Sequence, residues 1–153
     1  MHKASSPQSS FKRLSKAAIG AAAYARLRDA GLRPTRQRLA LASLLFDGHP
    51  RGRHVTAEML FAEARADGAR VSLATVYNTL NQFTGAGLLR EVVVEPGTSH
   101  FDTNTGDHHH LYFEDSGELC DVDADRIEIK GLPPTPRGAE VARVDVIVRL
   151  RRK

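Results

Sequence analysis

The chain has one cysteine, Cys120, among its 153 residues, and it has no long hydrophobic run. One cysteine cannot form an intramolecular disulfide, and it cannot supply a closed zinc site built from several thiolates. No apolar run approaches the roughly 20 residues that a membrane-spanning helix needs. The N-terminus does not match a signal peptide, because its short alanine-rich stretch continues as an ordinary helix. We therefore expect a cytoplasmic protein without a membrane partner.

Charge is divided unevenly along the chain. Residues 1–97 carry 14 Lys and Arg against 7 Asp and Glu, whereas residues 98–153 carry 8 against 11. The excess of positive charge in the first part suits a polyanionic partner, and the negative excess in the second part suits a cation. Charge alone does not distinguish these partners from two ordinary solvated surfaces.

The first part of the chain has the pattern of four helices followed by a hairpin. Residues 1–10 are serine-rich and lack periodicity, which predicts a disordered tail. Helices are predicted over residues 11–30, 35–46, 56–68 and 72–85, with Thr35, Thr56 and Ser72 as N-caps. The segments 88–94 and 99–102, which flank Pro96-Gly97, predict a β-hairpin.

This order of elements predicts an α+β fold. The last three helices followed by the hairpin form a winged helix, whose last helix before the wing enters the major groove of DNA, and the first helix provides an extra N-terminal brace. We therefore predict a winged-helix DNA-binding domain over residues 11–97, with its wing running to residue 103. Residues 104–153 are predicted to form a small α/β dimerisation and ligand-sensing domain.

The predicted second domain contains strands over residues 108–113 and 118–122 and a short helix over 123–130. A final strand is predicted to place four apolar side chains on one face: Val144, Val146, Val148 and Leu150. A small sheet with an apolar last strand is stabilised most when it pairs with a symmetry mate, so we expect a homodimer.

Three consecutive histidines, His108 to His110, stand in a strand-like segment flanked by aspartates. On a strand His108 and His110 would point to one side and His109 to the other, so the run could serve two sites. Imidazole and carboxylate together suit divalent iron, manganese or zinc. This run is the candidate for binding a metal or haem, and the alternative is a solvated, partly charged surface patch.

The residues Ser72-Leu-Ala-Thr-Val-Tyr77-Asn-Thr-Leu80-Asn-Gln-Phe83, followed by Ala86-Gly-Leu-Leu89, resemble the recognition helix of the ferric uptake regulator (Fur) superfamily. The similarity covers most of the chain and includes Gly31-Leu-Arg-Pro-Thr-Arg-Gln-Arg38, His54-Val-Thr-Ala-Glu58, the histidine run and Asp121. This resemblance implies a DNA-binding domain, a dimerisation domain and a regulatory metal bound between them.

The resemblance also implies which residues bind the metal: His54, Asp102, His108, His110 and Asp121. A second family site would use Asp107, His109 and Glu128, but it is incomplete because no histidine follows His110. Where many relatives have a Cys-x-x-Cys pair, this chain has Phe113 and Ser116, so no cysteine-bound structural zinc is expected.

These departures resemble the iron response regulator (Irr) branch, whose members sense iron as haem through a His-His-His run. The resemblance implies haem binding by His108, His109 and His110, in addition to Fe²⁺ or Mn²⁺, with Zn²⁺ as a substitute in vitro. The N-terminal Cys-Pro motif of some Irr proteins is absent here, so degradation through that motif is not expected. Cys120 could be a haem ligand, although a lone strand cysteine is more often a small buried apolar residue.

Residues on the predicted recognition helix and near the second helix are candidates for DNA contact. Tyr77 could pack against a thymine methyl, whereas Thr75 and Asn78 could reach base edges or phosphate. The alternative for Tyr77 is a place in the core. Arg33 matches a family position that probes the minor groove. Phosphate contacts are predicted for Arg36, Arg38, Arg51 and Arg53.

We therefore expect an iron-responsive transcriptional regulator, not an enzyme, that binds A·T-rich operator DNA as a dimer. In this hypothesis the protein loses DNA affinity when haem occupies the histidine region. Two alternatives in the same family are a regulator for which Fe²⁺ or Mn²⁺ is the co-repressor and a peroxide sensor. A small metallohydrolase is the alternative from another class, although the sequence has no catalytic signature such as His-Glu-x-x-His.

Overall fold

The computed structural model describes the backbone of residues 16–153 and the side chains of residues 20–153. The predicted tail and the predicted helix start at Phe11 lie outside these residues. The first part of the described chain contains four helices: α1 Lys16–Asp29, α2 Arg36–Phe46, α3 Ala57–Ala66 and α4 Leu73–Gly85. Within this part of the chain, no helix has both the length and the apolar character that crossing a bilayer requires.

Three helices begin at the N-caps that the sequence predicts. The hydroxyls of Thr35, Thr56 and Ser72 accept hydrogen bonds from backbone N–H groups three residues on, at 3.3, 3.2 and 3.1 Å. Each cap satisfies an N–H group that the first helical turn leaves unpaired. The helix α1 is followed, as predicted, by Gly31, whose φ of 76° favours glycine.

The four helices and one wing strand enclose the main hydrophobic core. Its largest fully buried side chains include Phe83, Phe101, Leu27, Leu41, Leu45, Leu60 and Leu80. On α4 the buried residues Val76, Leu80 and Phe83 follow each other at spacings of four and three, which places one face of the helix in the core. The opposite face of α4 is therefore available to a partner.

The first sheet contains three antiparallel strands in the order β1-β3-β2. The strands β2 Arg90–Glu95 and β3 Thr98–Asp102 form the predicted hairpin. The strand β1 His54–Val55 is not predicted by the sequence, because two residues give no readable alternation. This short strand places His54 directly opposite Asp102.

The second sheet consists of β4 His108–Phe113, β5 Leu119–Asp123 and β6 Ile147–Leu150, in the order β5-β4-β6. Together with the helices it confirms the predicted α+β fold. The predicted helix over 123–130 is wrong, since only a single 3₁₀ turn, Ala124–Arg126, forms there. Asp123 makes no side-chain capping hydrogen bond, and Ile127 and Ile129 alternate as in extended chain.

The predicted start of the last strand at Val144 is also wrong. The N–H of Val146 donates to Nδ1 of His109 at 3.1 Å, so it is not available to the ladder, and β6 begins one residue later. Residues 103–107 join the two sheets, and the predicted domain boundaries near them stay predictions.

The second sheet has two faces of different character. Residues paired across a ladder point to the same side. The registers therefore place one group on the face toward the wing: His108, His110, Tyr112, Leu119, Asp121, Asp123, Ile147 and Arg149. On that face Tyr112, Leu119 and Ile147 pack against Val92 and Val94 of the wing. The outer face carries His109, Leu111, Phe113, Cys120, Val122, Val148 and Leu150.

Candidate functional site

The five residues predicted to bind metal lie where the two sheets meet. His54 and Asp102 form a cross-strand pair of the first sheet, and His110 and Asp121 form a cross-strand pair of the second. His108 lies two residues before His110, on the same face of β4. The meeting of the two sheets thus brings together residues that are up to 67 positions apart.

The three imidazoles direct their Nε2 atoms toward the same two carboxylates. Oδ2 of Asp102 lies 3.3, 2.7 and 3.2 Å from Nε2 of His54, His108 and His110. Oδ1 of Asp121 lies 2.6, 3.2 and 3.3 Å from the same three atoms. Ligand atoms of all these residues except His108 lie within 4.8 Å of one another.

Hydrogen bonds outside this cluster hold two of its members in place. Asp102 has no exposed surface, and its Oδ1 accepts the N–H of Asn104 at 2.8 Å. Nδ1 of His108 lies 2.7 Å from the carbonyl oxygen of Gly106. Because a carbonyl only accepts, Nδ1 carries the proton, and Nε2 is directed into the site. Backbone support of this kind orients histidines that bind metals.

The electrostatics of the cluster favour positive charge at its centre. Burial by itself would lower the pKa of His54, but hydrogen bonds and charge from Asp102 and Asp121 outweigh it and raise the pKa to about 9. The pKa of His110 is raised for the same reasons. Burial would raise the pKa of Asp102 and of Asp121, but hydrogen bonds from His110 and His54 hold both well below the usual range.

A divalent cation fits this set of donors. The cluster offers imidazole nitrogen and carboxylate oxygen without a thiolate, which is the chemistry that Fe²⁺, Mn²⁺ and Zn²⁺ accept. A bound cation could take the place of the protons that the carboxylates now favour on the imidazoles. Sequence reasoning did not single out His100, which is buried beside this group on β3. His100 lies two residues before Asp102 on the same strand, and strand alternation alone predicts that the two side chains share one face.

The residues of the incomplete second site are not brought together. His109 points away from the cluster, as strand alternation predicts, and its Nδ1 accepts the N–H of Val146. The exposed Asp107 lies 3.7 Å from Arg90, and the exposed Glu128 lies 3.2 Å from Lys130.

The predicted haem ligands are enclosed by protein. His108, His109 and His110 are only 6, 6 and 4 % exposed, so haem could reach them only after a rearrangement. Cys120 lies on the outer face of the second sheet, opposite to the face of His108 and His110, and is partly exposed. Its placement gives it no part in the cluster.

The predicted DNA-contacting residues divide into exposed and engaged groups. Tyr77 is 38 % exposed and Asn78 is also exposed, so Tyr77 is not a core residue. Arg33 and Arg36 are exposed near the start of α2. Thr75 is partly buried, and its hydroxyl oxygen accepts a hydrogen bond from Ser72 at 2.9 Å.

Two of the four arginines predicted to contact phosphate are engaged within the protein. The guanidinium of Arg53 donates to both carboxylate oxygens of Glu63, at 2.6 and 2.9 Å, so the prediction for Arg53 is corrected. Arg38 donates to the carbonyl of Arg33 and to Gln82 of α4, and it therefore joins two helices. Arg36 and Arg51 remain exposed.

Known proteins resemble this chain in sequence and in fold. Residues 29–147 match the Ferric uptake regulator family. The peroxide-responsive repressor PerR of Staphylococcus aureus (strain Mu50 / ATCC 700699) is 36% identical over 97 residues, which are 63% of this chain and 64% of that protein. The chain thus aligns with less than two thirds of the length of this curated relative.

Two solved structures extend the similarity over nearly their whole length. The ferric uptake regulator from Pseudomonas aeruginosa with manganese is 29% identical, with a TM-score of 0.64 over 86% of this chain and 98% of that one. The Vibrio cholerae ferric uptake regulator is 27% identical, with a TM-score of 0.65 over 84% of this chain and 98% of that one.

Proposed function

The chain belongs to the ferric uptake regulator family, and we propose that it is a metal-responsive transcriptional regulator that binds A·T-rich operator DNA as a homodimer. The observation that carries this proposal is the convergence of three imidazoles and two carboxylates between the two sheets. Membership in a family of regulators supports this function. The alternative of a metallohydrolase has no further support. A protein that acts on chromosomal DNA would work in the cytoplasm.

The proposed regulatory ligand is Fe²⁺ or Mn²⁺, and the donor set would also accept Zn²⁺ in vitro. His54 and Asp102 would hold the cation from the wing sheet, and His108, His110 and Asp121 would hold it from the second sheet. A cation bound by both sheets would favour one arrangement of the wing relative to the second sheet. A tenfold gain in DNA affinity requires about 1.4 kcal/mol of such coupling.

The proposed DNA surface is the exposed side of α4 together with the start of α2. Tyr77 and Asn78 would face base edges in the major groove, while Arg36 would contact phosphate and Arg33 the minor groove. Thr75 would contribute less than the sequence predicts, because its hydroxyl already takes part in the cap of α4.

The outer face of the second sheet supports the proposed homodimer. Its apolar side chains include Leu111, Phe113 and Val148, and Val148 is 36 % exposed in the single chain. An apolar sheet face of this kind is stabilised when a second copy covers it.

Peroxide sensing is a second candidate function, favoured by the 36% identity to a peroxide-responsive repressor. Fe²⁺, if held by these histidines and aspartates, would supply redox chemistry toward peroxide. The net change would be a two-electron oxidation of one imidazole by peroxide, in which one peroxide oxygen is added to the ring and the other leaves as water. Peroxide should then release DNA from the Fe²⁺-loaded protein but not from the Mn²⁺-loaded protein. The released protein should carry an added oxygen atom on a histidine-containing peptide, as measured by mass spectrometry.

Haem control at His108, His109 and His110 stays a prediction without further support. The burial of all three side chains and the hydrogen bond between His109 and Val146 favour a small cation over a large planar ligand. We therefore propose a divalent metal, and not haem, as the regulatory ligand.

Fluorescence anisotropy with an A·T-rich palindromic duplex tests the proposal. Metal-free, Mn²⁺-loaded and haem-loaded protein are compared, with His108→Ala and the exposed His49→Ala as a matched pair of variants. We expect Mn²⁺ to strengthen DNA binding by the wild type and by His49→Ala, but not by His108→Ala. DNA affinity should also fall by roughly 10³-fold or more between about 50 and 200 mM salt. A response to haem alone would favour the haem hypothesis, and a flat salt dependence would contradict DNA binding.

A further inference from the structure

The exposed ring of Tyr77 is held by a residue of another helix. Its hydroxyl donates a hydrogen bond of 2.6 Å to Oε1 of Glu58, which is 19 residues earlier in the sequence. Glu58 lies in the first turn of α3, two residues after the N-cap Thr56, where a carboxylate interacts favourably with the helix dipole. The hydrogen bond therefore holds the ring from a neighbouring helix that packs against α4 in the same core.

Both partners stay in the protonation states that this contact requires. The hydrogen bond from Tyr77 lowers the pKa of Glu58, and the same bond raises the pKa of Tyr77. Glu58 is thus an ionised acceptor and Tyr77 a neutral donor, which makes the hydrogen bond charge-assisted and stronger than one between neutral groups.

We propose that Glu58 is a positioning residue that fixes the ring of Tyr77 for contact with a thymine methyl group. This inference rests on the proposed function, since it assumes that α4 enters the major groove. A methyl contact depends on where the ring lies, and an untethered tyrosine loses conformational freedom on binding. Because the hydrogen bond to Glu58 already fixes the ring in the free protein, this loss of conformational entropy does not occur when DNA binds.

The same carboxylate has an opposite effect on binding that does not depend on sequence. A negative charge beside the recognition helix repels the phosphates of every duplex. Glu58 would therefore lower affinity for DNA in general while raising the preference for thymine. This pair of opposite effects separates positioning from simple repulsion.

Variants of the two partners separate these effects. E58A removes both the acceptor and the charge, whereas E58Q removes the charge and keeps an acceptor oxygen. Y77F keeps the ring and removes the hydroxyl. D67A is the matched control, because Asp67 is an exposed carboxylate at the other end of α3 and its loss makes the same change in net charge.

The probe is the duplex that Mn²⁺-loaded wild-type protein enriches from a random-sequence pool. The affinity of each protein for this duplex is compared with its affinity for the same duplex in which deoxyuridine replaces thymidine. The replacement keeps base pairing but removes the methyl groups. Wild type, E58Q and D67A should prefer the thymine duplex by at least about fourfold. E58A and Y77F should bind the two duplexes within about twofold of each other. E58A and E58Q should both bind a random duplex more tightly than wild type does.

Two results would overturn the inference while leaving the proposed function intact. The first is an E58A protein that keeps the wild-type preference for thymine, and the second is a wild type without such a preference. Failure of the wild type to enrich any duplex would instead overturn the proposed function and the inference together. Thermal unfolding of each variant establishes that the fold is unchanged.

Discussion

Nε2 of His54 lies 2.6 Å from Oδ1 of Asp121, although the two residues belong to different sheets and are 67 positions apart. His54 stands on the short strand that leads into α3, and Asp121 stands on β5. This contact is a direct link between the wing sheet and the second sheet. Any ligand that replaces it acts on both sheets at once, which is the requirement for coupling between a metal site and a DNA surface.

Replacement of His54 should therefore weaken metal binding. We expect His54→Ala to lower Mn²⁺ affinity by more than about tenfold, because even supporting residues of metal sites have effects of that size. Competition with a fluorescent chelator measures the affinity. His49→Ala is the control, since His49 is exposed and lies outside the cluster. Equal Mn²⁺ affinity in the two variants would contradict the assignment of His54.

Binding of Mn²⁺ should also release protons. Burial lowers the pKa of His54, but Asp102 and Asp121 outweigh it and raise the pKa to about 9, so the metal-free imidazole is protonated at neutral pH. A cation requires the neutral ring. Mn²⁺ affinity should thus rise with pH until about 9 and then level off. Calorimetry in two buffers of different ionisation enthalpy counts the protons, and His54→Ala should release fewer than wild type.

The same contact gives the metal-free fold a pH dependence of defined sign. Because the folded pKa of His54 lies above the ordinary value of 6.5, its stabilising contribution is complete below 6.5 and is lost as pH rises through about 9. Chemical unfolding of the metal-free protein across this window should show falling stability. A rise in stability over the same window would contradict the ion pairing of His54 with the two carboxylates.

A charge on the outer face of the second sheet should prevent self-association. We expect Val148→Asp to weaken the dimer by at least about 100-fold, since burial of an unpaired carboxylate costs several kcal/mol. Sedimentation velocity at a series of concentrations measures the change. Val93→Asp is the control, because Val93 is 57 % exposed on the wing and lies on another sheet. Dimers of equal strength in both variants would place the interface elsewhere.

The features that the sequence predicts well are those that depend on neighbouring residues. The caps Thr35, Thr56 and Ser72 each act three residues along the chain, and the buried face of α4 follows from its own spacing. Strand alternation likewise separates His109 from its neighbours on either side. The grouping of His54 with Asp121 came from family resemblance, because no local pattern connects residues that lie so far apart.

The features that sequence reasoning misses depend on which distant group a side chain meets. Arg53 resembles a phosphate-binding residue by charge and position, yet it forms an ion pair with Glu63. The link between Glu58 and Tyr77 is invisible in the sequence for the same reason. The predicted helix at 123–130 fails differently, because an acidic first turn alone does not form a helix without a capping hydrogen bond.

Arg90 supports His108 through a shared backbone carbonyl. Its guanidinium donates to the carbonyl oxygen of Gly106 at 3.0 Å, and Nδ1 of His108 donates to the same oxygen at 2.7 Å. Arg90 is the first residue of β2, so it ties the wing to the loop that orients a candidate metal ligand. The loss of one donor should let the carbonyl of Gly106 move and should relax the orientation of the imidazole.

We therefore expect Arg90→Met to lower Mn²⁺ affinity by about tenfold, the lower end of the range for residues that support metal ligands. Arg28→Met is the matched control, because Arg28 is exposed on α1 and makes no contact with the loop 103–107 in the described residues. Chelator competition compares the two variants, and nitrogen-15 chemical shifts of His108 report whether its Nδ1 proton is still fixed. If Arg90→Met kept both the affinity and the shifts of the wild type, the carbonyl of Gly106 would orient His108 without help, and the wing would not be tied to the metal site through Arg90.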